Sequence, residues 1–306
     1  MLANPLTNRA RYIELSALVA GSLVIWWRPI VANLKLALSS DAHTHILLVL
    51  PLSIALAYLE GKEERLTFES SGRLGTILLT AALLLRAVTA WTAWHLSPND
   101  LLALSIFALV IWWIGSVILC FGLRTFRSLL FPLCFLFLIV PFPEHVLSWI
   151  TGFLQDQSAV AASILFRCAR VPVTRDGIIL SIPGLDIEVS RECSSVRSSM
   201  MLIVTTMVLA HLFLRSWWKK ALLMVIAIPL SVAKNALRIF TIVGLGTRVD
   251  PGFLVGRLHR HGGIVFWSLA VAVVVVLLWG LTRSELPAPV AAEGIAEGRA
   301  WQRRGK

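Results

Sequence analysis

The sequence predicts an all-α polytopic membrane protein of about eight transmembrane helices, with a small mixed, strand-containing cap on its outer face. Three observations carry this expectation. Of the 306 residues, 57% are hydrophobic and 15% charged, with a mean hydropathy of +0.80, against about 45–50% and about 25% in soluble domains. The apolar residues gather into runs close to the ~20 residues that a crossing helix needs. One long stretch, 141–196, is too polar to cross and holds alternating, strand-like segments. A water-soluble enzyme, a disordered chain and a secreted disulfide scaffold are excluded.

The runs fall at 14–27, 44–60, 74–94, 101–122, 129–140, 197–214, 221–246 and 263–282. The fifth is short for a crossing and meets the break Pro141-Phe142-Pro143. Four regions follow from this pattern: N-terminal transmembrane helices over 1–140, an outer-face segment over 141–196, further transmembrane helices with an outer loop over 197–282, and a tail over 283–306. The tail is rich in Ala, Glu, Arg and Pro and reads as a disordered cytoplasmic end. Arg9 and Arg11 precede the first run without a small-residue cleavage site, which reads as a retained first helix.

Charge sets the orientation. The formal net charge is +11, a value that in a soluble protein would suggest nucleic acid; in a polytopic chain the cations orient the helices, and no nucleic-acid partner is expected. With the N-terminus inside, 15 Lys and Arg fall in inner segments and ten in outer ones, while Arg86, Lys234 and Arg238 lie within spans. Both termini are therefore expected in the cytoplasm, and 141–196 and 247–262 outside. Segment 141–196 starts with an amphipathic stretch from Val146 to Arg170 that suits the membrane interface. Val171–Gly177 then reads as strand and turn, and Ile178–Ile182 and Leu185–Val189 flank Pro183-Gly184 as a hairpin.

Three polar clusters interrupt this apolar background. Glu192-Cys193-Ser194-Ser195-Val196-Arg197-Ser198 lies where the cap meets the sixth run. A thiol at a helix N-terminus faces the positive end of the dipole, which favours thiolate, and Arg197 adds a cation one turn on. The competing readings are serines that cap a helix around a small packed cysteine, and a disulfide to Cys168. The four cysteines, Cys120, Cys134, Cys168 and Cys193, form no CxxC pair and no zinc spacing, so neither a metal nor a cofactor is signalled. The second cluster, Lys234-Asn235-Ala-Leu-Arg238-Ile239, puts cations inside the seventh run, with Arg238 about 12 Å below its outer end at 1.5 Å per residue. Charge at such depth points to function unless it is a structural or snorkelling cation. The third is Leu258-His259-Arg-His261-Gly-Gly263, at the outer surface before the last run. Solvent exposure alone is its bland reading. Together the three supply a thiolate, a proton shuttle and an oxyanion partner at one face.

At these residues the chain resembles the exosortase/archaeosortase family of polytopic membrane thiol transpeptidases, in its bacterial branch. The family pattern is similar to A-C-S-G-[LI]-R-S, then N-x-x-R-[IV], then H-x-x-x-G before an aromatic. Here these are Glu192–Ser198, Asn235–Ile239, and His259 to Gly263 leading to Phe266. Upstream, Pro141-Phe-Pro143, Leu154-Gln155, Val171–Gly177 and Leu185–Val189 look similar too, and His43 or His45 sits where the family often has a Ser-His-Gly sequence. Ser195 and Glu192 depart from the pattern, and the Glu192 anion would raise the thiol pKa unless Arg191 or Arg197 offsets it. His259 fits the third motif through Gly263, whereas His261 lacks that spacing.

The resemblance implies a protease/transpeptidase in the bacterial inner membrane, active on the outer face. Cys193 would attack near the short motif of a C-terminal sorting signal, Arg238 would stabilise the oxyanion, and His259 would move the proton. Arg197, Asn235 and Ser194 would support them. Implied partners are exported proteins ending in a motif, a transmembrane helix and a basic cluster, the bilayer, and an exopolysaccharide or lipid acceptor. The rival is a transporter or channel for an anionic solute, with Arg86, Lys234 and Arg238 along its path. It predicts polar lining through the bilayer, but the inner halves of the runs are almost wholly apolar.

Overall fold

A computed structural model describes residues 5–63, 72–91, 96–189, 196–250, 252 and 257–285. It is helical, with one three-stranded sheet, as the composition requires. Among the described residues six helices are long and apolar enough to cross a membrane, and two bent helix pairs bring the count to eight if each pair is one span. Two compact units divide the chain, residues 1–201 and 202–306.

In the first unit, α1 (Pro5–Ile25) is followed at Trp26 by α2 (Trp27–Ser39), which turns away by 75°. The sequence reading placed a single span at 14–27 and no second helix. Its polar residues Arg28, Asn33 and Lys35 interrupt the hydropathy, so periodicity alone does not reveal α2. A 3-10 turn, Asp41–His43, leads to α3 (Ile46–Glu63), and α4 (Gly72–Trp91) and α5 (Pro98–Ser128) form an extensive antiparallel pair. Ser97 caps α5 by accepting the Asp100 N–H at 3.1 Å. Gly122 breaks its helical geometry with φ +87°, a left-handed conformation that glycine adopts without steric cost.

The short fifth run becomes α6 (Leu130–Phe135) and a 3-10 turn, Leu136–Ile139. After the Pro-Phe-Pro break the chain turns by 92° into α7 (Glu144–Cys168), the expected amphipathic segment. The cap follows: β1 (Thr174–Asp176), β2 (Ile179–Ile182) and β3 (Leu185–Glu188) form an antiparallel sheet in that order, with Ile182 opposite Leu185 around the Pro183-Gly184 turn. The hairpin expected from alternation is present, with β1 added at its edge.

Lipid tails offer helices no hydrophobic incentive to associate, so close packing and polar tethers must hold them. Both are visible. A Cβ on Gly75 of α4 would lie 2.7 Å from the Leu119 backbone of α5, and one on Gly115 would lie 3.0 Å from Leu78 Cβ. The Trp112 and Trp113 indoles of α5 donate to Leu18 O and Ser22 Oγ of α1, each at 3.0 Å. Asn33 of α2 donates to Ile139 O at 3.1 Å, and Ser53 of α3 to Pro132 O at 2.7 Å.

The second unit contains α9 (Trp217–Arg248) and α10 (Arg257–Arg283), with the greater part of α8 (Val196–Phe213) beside them. Leu202 and Ala210 of α8 share a core with Leu223 of α9 and Ala270, Val274 and Leu278 of α10. One end of this unit is closed by a polar knot. The Glu285 carboxylate accepts the N–H groups of Arg215 and Ser216 at 2.9 and 3.0 Å, and Lys219 donates to Leu281 O and Ser284 Oγ and pairs with Glu285 at 3.6 Å. Glu285 thus does for the N-terminus of α9 what the Ser216 side chain does not, since Ser216 makes no capping bond. These two N–H donors, and then Lys219, hold the Glu285 carboxyl below its ordinary pKa.

Replacing Gly75 with Leu should separate α4 from α5 and cost about 1–3 kcal/mol, typical of overpacking, whereas Gly61→Ala, with nothing within 4 Å, should leave the melting temperature nearly unchanged. Because the Glu285 pKa is lower folded than unfolded, its contribution is present above the ordinary carboxylate pKa and is lost as pH falls through the folded value. Glu285→Gln should therefore lower the melting temperature near neutral pH, and the gap from the parent should close in acid. A gap that persists there would show that Glu285 acts through shape alone.

Candidate functional site

Cys193 and Ser194 lie outside the described residues, but the chain on either side is firmly held. On the upstream side, the residue after β3 is Val189, whose N–H donates to Ile178 O at 2.9 Å and whose carbonyl accepts the buried Gln155 side chain of α7 at 2.9 Å. An unpaired buried carbonyl would cost about 1–3 kcal/mol, so Gln155 fixes where the strand leaves the cap. On the downstream side, Arg197 in the first turn of α8 pairs with Asp41 at 2.9 Å. Both side chains are well exposed, at 57% and 77%. Such a pair contributes little to stability, but it ties the start of α8 to the 3-10 turn Asp41–His43.

Sequence reading expected Arg197 to lend its charge to the thiol and did not single out Asp41. The structure pairs the guanidinium with the Asp41 carboxylate, and Cys193 itself lies outside the described residues. The two partners are 156 positions apart in sequence, and no local pattern links them. The same turn carries His43 and His45, both almost fully buried. The Nδ1 of His43 meets Ser40 Oγ at 3.0 Å, and the Nδ1 of His45 meets Ala42 O at 3.2 Å. A carbonyl only accepts, so Nδ1 of His45 carries its proton. Both imidazoles pack on Phe142 of the Pro-Phe-Pro break, with ring centroids 6.5 and 5.9 Å apart from it. The Nε2 of His43 is buried with no hydrogen-bond partner among the described residues.

Arg238, Asn235 and Lys234 belong to the second unit, on α9. Asn235 and Lys234 are buried and Arg238 is half-buried. With Lys234 and Arg238 four residues apart, the two cations lie on one helix face. His259 falls in the first turn of α10. The Lys219 bonds to Leu281 and Ser284 join the start of α9 to the end of α10, so the helices are antiparallel. The end of α9 beyond Arg238 and the beginning of α10 that carries His259 and His261 therefore share the opposite end of this unit. Sequence order alone anticipated that.

Among the described residues no group of three His, Cys, Asp or Glu could hold a metal. Free Cys168 is exposed, at the last position of α7.

The class is thus clear: a polytopic helical membrane protein with a small β cap in its first unit and buried or half-buried cations within α9 of its second. The chain belongs to the transmembrane exosortase family, whose model matches residues 26–280, and this family consists of membrane-embedded sorting transpeptidases. No curated protein and no solved structure matches the chain.

Gln155→Leu should cost about 1–3 kcal/mol and speed amide exchange through β2 and β3. Asp41→Asn should change stability by no more than about 1 kcal/mol. Comparable losses from the two substitutions would contradict the burial difference between these anchors.

Proposed function

We propose that this protein is a cysteine protease/transpeptidase that cleaves C-terminal sorting signals of exported proteins and passes the cleaved chain to an acceptor. The carrying observation is the family match across residues 26–280, which spans all three motifs with their cysteine, arginine and histidine. Supporting it, Lys219 fastens the start of α9 to the end of α10, so the half of α9 that carries Arg238 runs toward the end of the unit where α10 begins with His259. A transporter would need cations distributed along a path.

The Cys193 thiolate attacks the scissile carbonyl carbon, and the resulting oxyanion is stabilised by Arg238. His259 takes the thiol proton and gives it to the departing amine as the tetrahedral intermediate collapses. The C–N bond breaks, a thioester remains on Sγ, and the signal's helix and basic cluster leave with a new amino terminus. An acceptor amine, hydroxyl or water then attacks the thioester, loses its proton to His259, and releases the thiol. Asn235 and Ser194 orient these groups. Arg197, paired with Asp41, positions the start of α8. Cys193 is four residues from Val189 and four from Arg197, so its Cα lies within about 14 Å of each anchored residue at ~3.3–3.6 Å per residue. The reaction takes place on the outer face of a bacterial inner membrane, where the substrate's own helix reaches the site through the bilayer.

Cys193→Ala should abolish processing of a co-expressed sorting-signal protein while leaving membrane insertion intact, as read by gel mobility and fractionation. Arg238→Ala and His259→Ala should each lower processing by at least about a hundredfold, in line with loss of an oxyanion donor or a general base. Cys168→Ser should be nearly silent. Unchanged processing by Cys193→Ala would remove the thiol mechanism, and a normal His259→Ala beside an inactive His261→Ala would move the proton shuttle to His261.

A further inference from the structure

A second polar feature of the first unit takes no part in the chemistry above. The end of α4, the start of α5 and the bent helix α2 enclose an open groove of about 530 Å³. Ser105 of α5 donates to Thr89 of α4 at 3.3 Å, which ties these helix ends together. Arg28 and Lys35 of α2 and Arg86 of α4 line the groove with Ser39, Asn99 and Ser105, and no carboxylate is among its lining residues. Arg86 lies five residues before the end of α4, about 7 Å below it at 1.5 Å per residue. Its Nε is buried with no hydrogen-bond partner among the described residues. A cation at such depth calls for a counter-charge. The nearest acid in sequence to the lining residues, Asp100, accepts the Glu144 N–H at 3.3 Å.

The surroundings say where the groove sits. Trp27 and Trp91, 55% and 84% exposed, stand at the start of α2 and the end of α4, two of the helices that line the groove, as aromatic residues do at the membrane–water boundary. Val31, Leu34 and Leu38 of α2 and Val88 of α4 add exposed apolar surface on the same two helices. Arg28 lies over the Trp27 ring, 5.4 Å from its centroid, which keeps a guanidinium at that level. Three cations, hydroxyl and amide donors, and exposed apolar residues on the helices that carry them suit a ligand with an anionic head and hydrocarbon tails. Arginine forks match phosphate oxygens in pairs.

We infer that the Arg28/Lys35/Arg86 groove binds the phosphate headgroup of an anionic membrane lipid, with its acyl chains running along α2 and α4. Arg86 bonds the phosphate from below, and Arg28 and Lys35 close over it from α2. The site is independent of the thiol chemistry and stands or falls separately from it.

The test is native mass spectrometry of the detergent-purified full chain titrated with dioleoyl phosphatidylglycerol, dioleoyl phosphatidylcholine or inorganic phosphate. Phosphatidylglycerol should bind at least tenfold more tightly than phosphatidylcholine. Arg86→Gln should abolish that preference, and the exposed pair Arg28→Gln/Lys35→Gln, which leaves the helix packing untouched, should reduce it at least fivefold. Inorganic phosphate should compete only at concentrations far above the lipid's. Equal binding of the two lipids, or a preference that survives in both variants, would overturn the inference. Tight phosphate binding without lipid selectivity would also overturn it, showing a site for a soluble anion.

Discussion

The absence of water from the bilayer core governs this molecule. Apolar side chains gain nothing by leaving lipid for one another, so helices must be held by close backbone approach and by hydrogen bonds that lipid cannot replace. The Gly75–Leu119 contact is of the first kind. Trp112 to Leu18, Asn33 to Ile139 and Ser53 to Pro132 are of the second. Each joins elements far apart in sequence. Together they assemble α1 to α6 into a scaffold on which the turn around Asp41 and the β cap can be placed.

The same constraint explains where the polar chemistry gathers. A charged or imidazole side chain inside such a scaffold must have a partner, a ligand or a route to the surface. Lys219 and Glu285 answer that demand at one end of the second unit by capping α9 and fastening it to α10. Asp41 answers Arg197. His43 and His45 are fixed through Nδ1 by Ser40 and Ala42. Polar residues in this protein are therefore either fasteners or working groups. The pairing of each cation helps to sort one from the other, and among the described residues the buried Nε of Arg86 has no partner.

Much of the architecture was legible because hydropathy and alternation are local properties. The spans at 74–94, 101–122, 221–246 and 263–282 correspond to α4, α5, α9 and α10, and the alternating residues around Pro183-Gly184 to the β2–β3 hairpin. The helix α2 was missed because Arg28, Asn33 and Lys35 dilute its apolar pattern. The sharp turns at Trp26 and after Ile139 were beyond reach because a bend depends on what the helices pack against. The first showed no sequence signal, and Pro141-Phe-Pro143 announced the second without its angle.

At the candidate site, residue types and spacing pointed to cysteine, arginine and histidine motifs, and element order put the ends of α9 and α10 together. By itself the sequence determined the membrane class, the strand-bearing cap and the chemical repertoire, since these rest on composition and short-range pattern. Only the tertiary structure decided that Arg197 meets Asp41, that Gln155 holds the carbonyl of Val189, and that Arg28, Lys35 and Arg86 share one groove. Each of these joins residues from different elements, and their distances are set by how the helices pack.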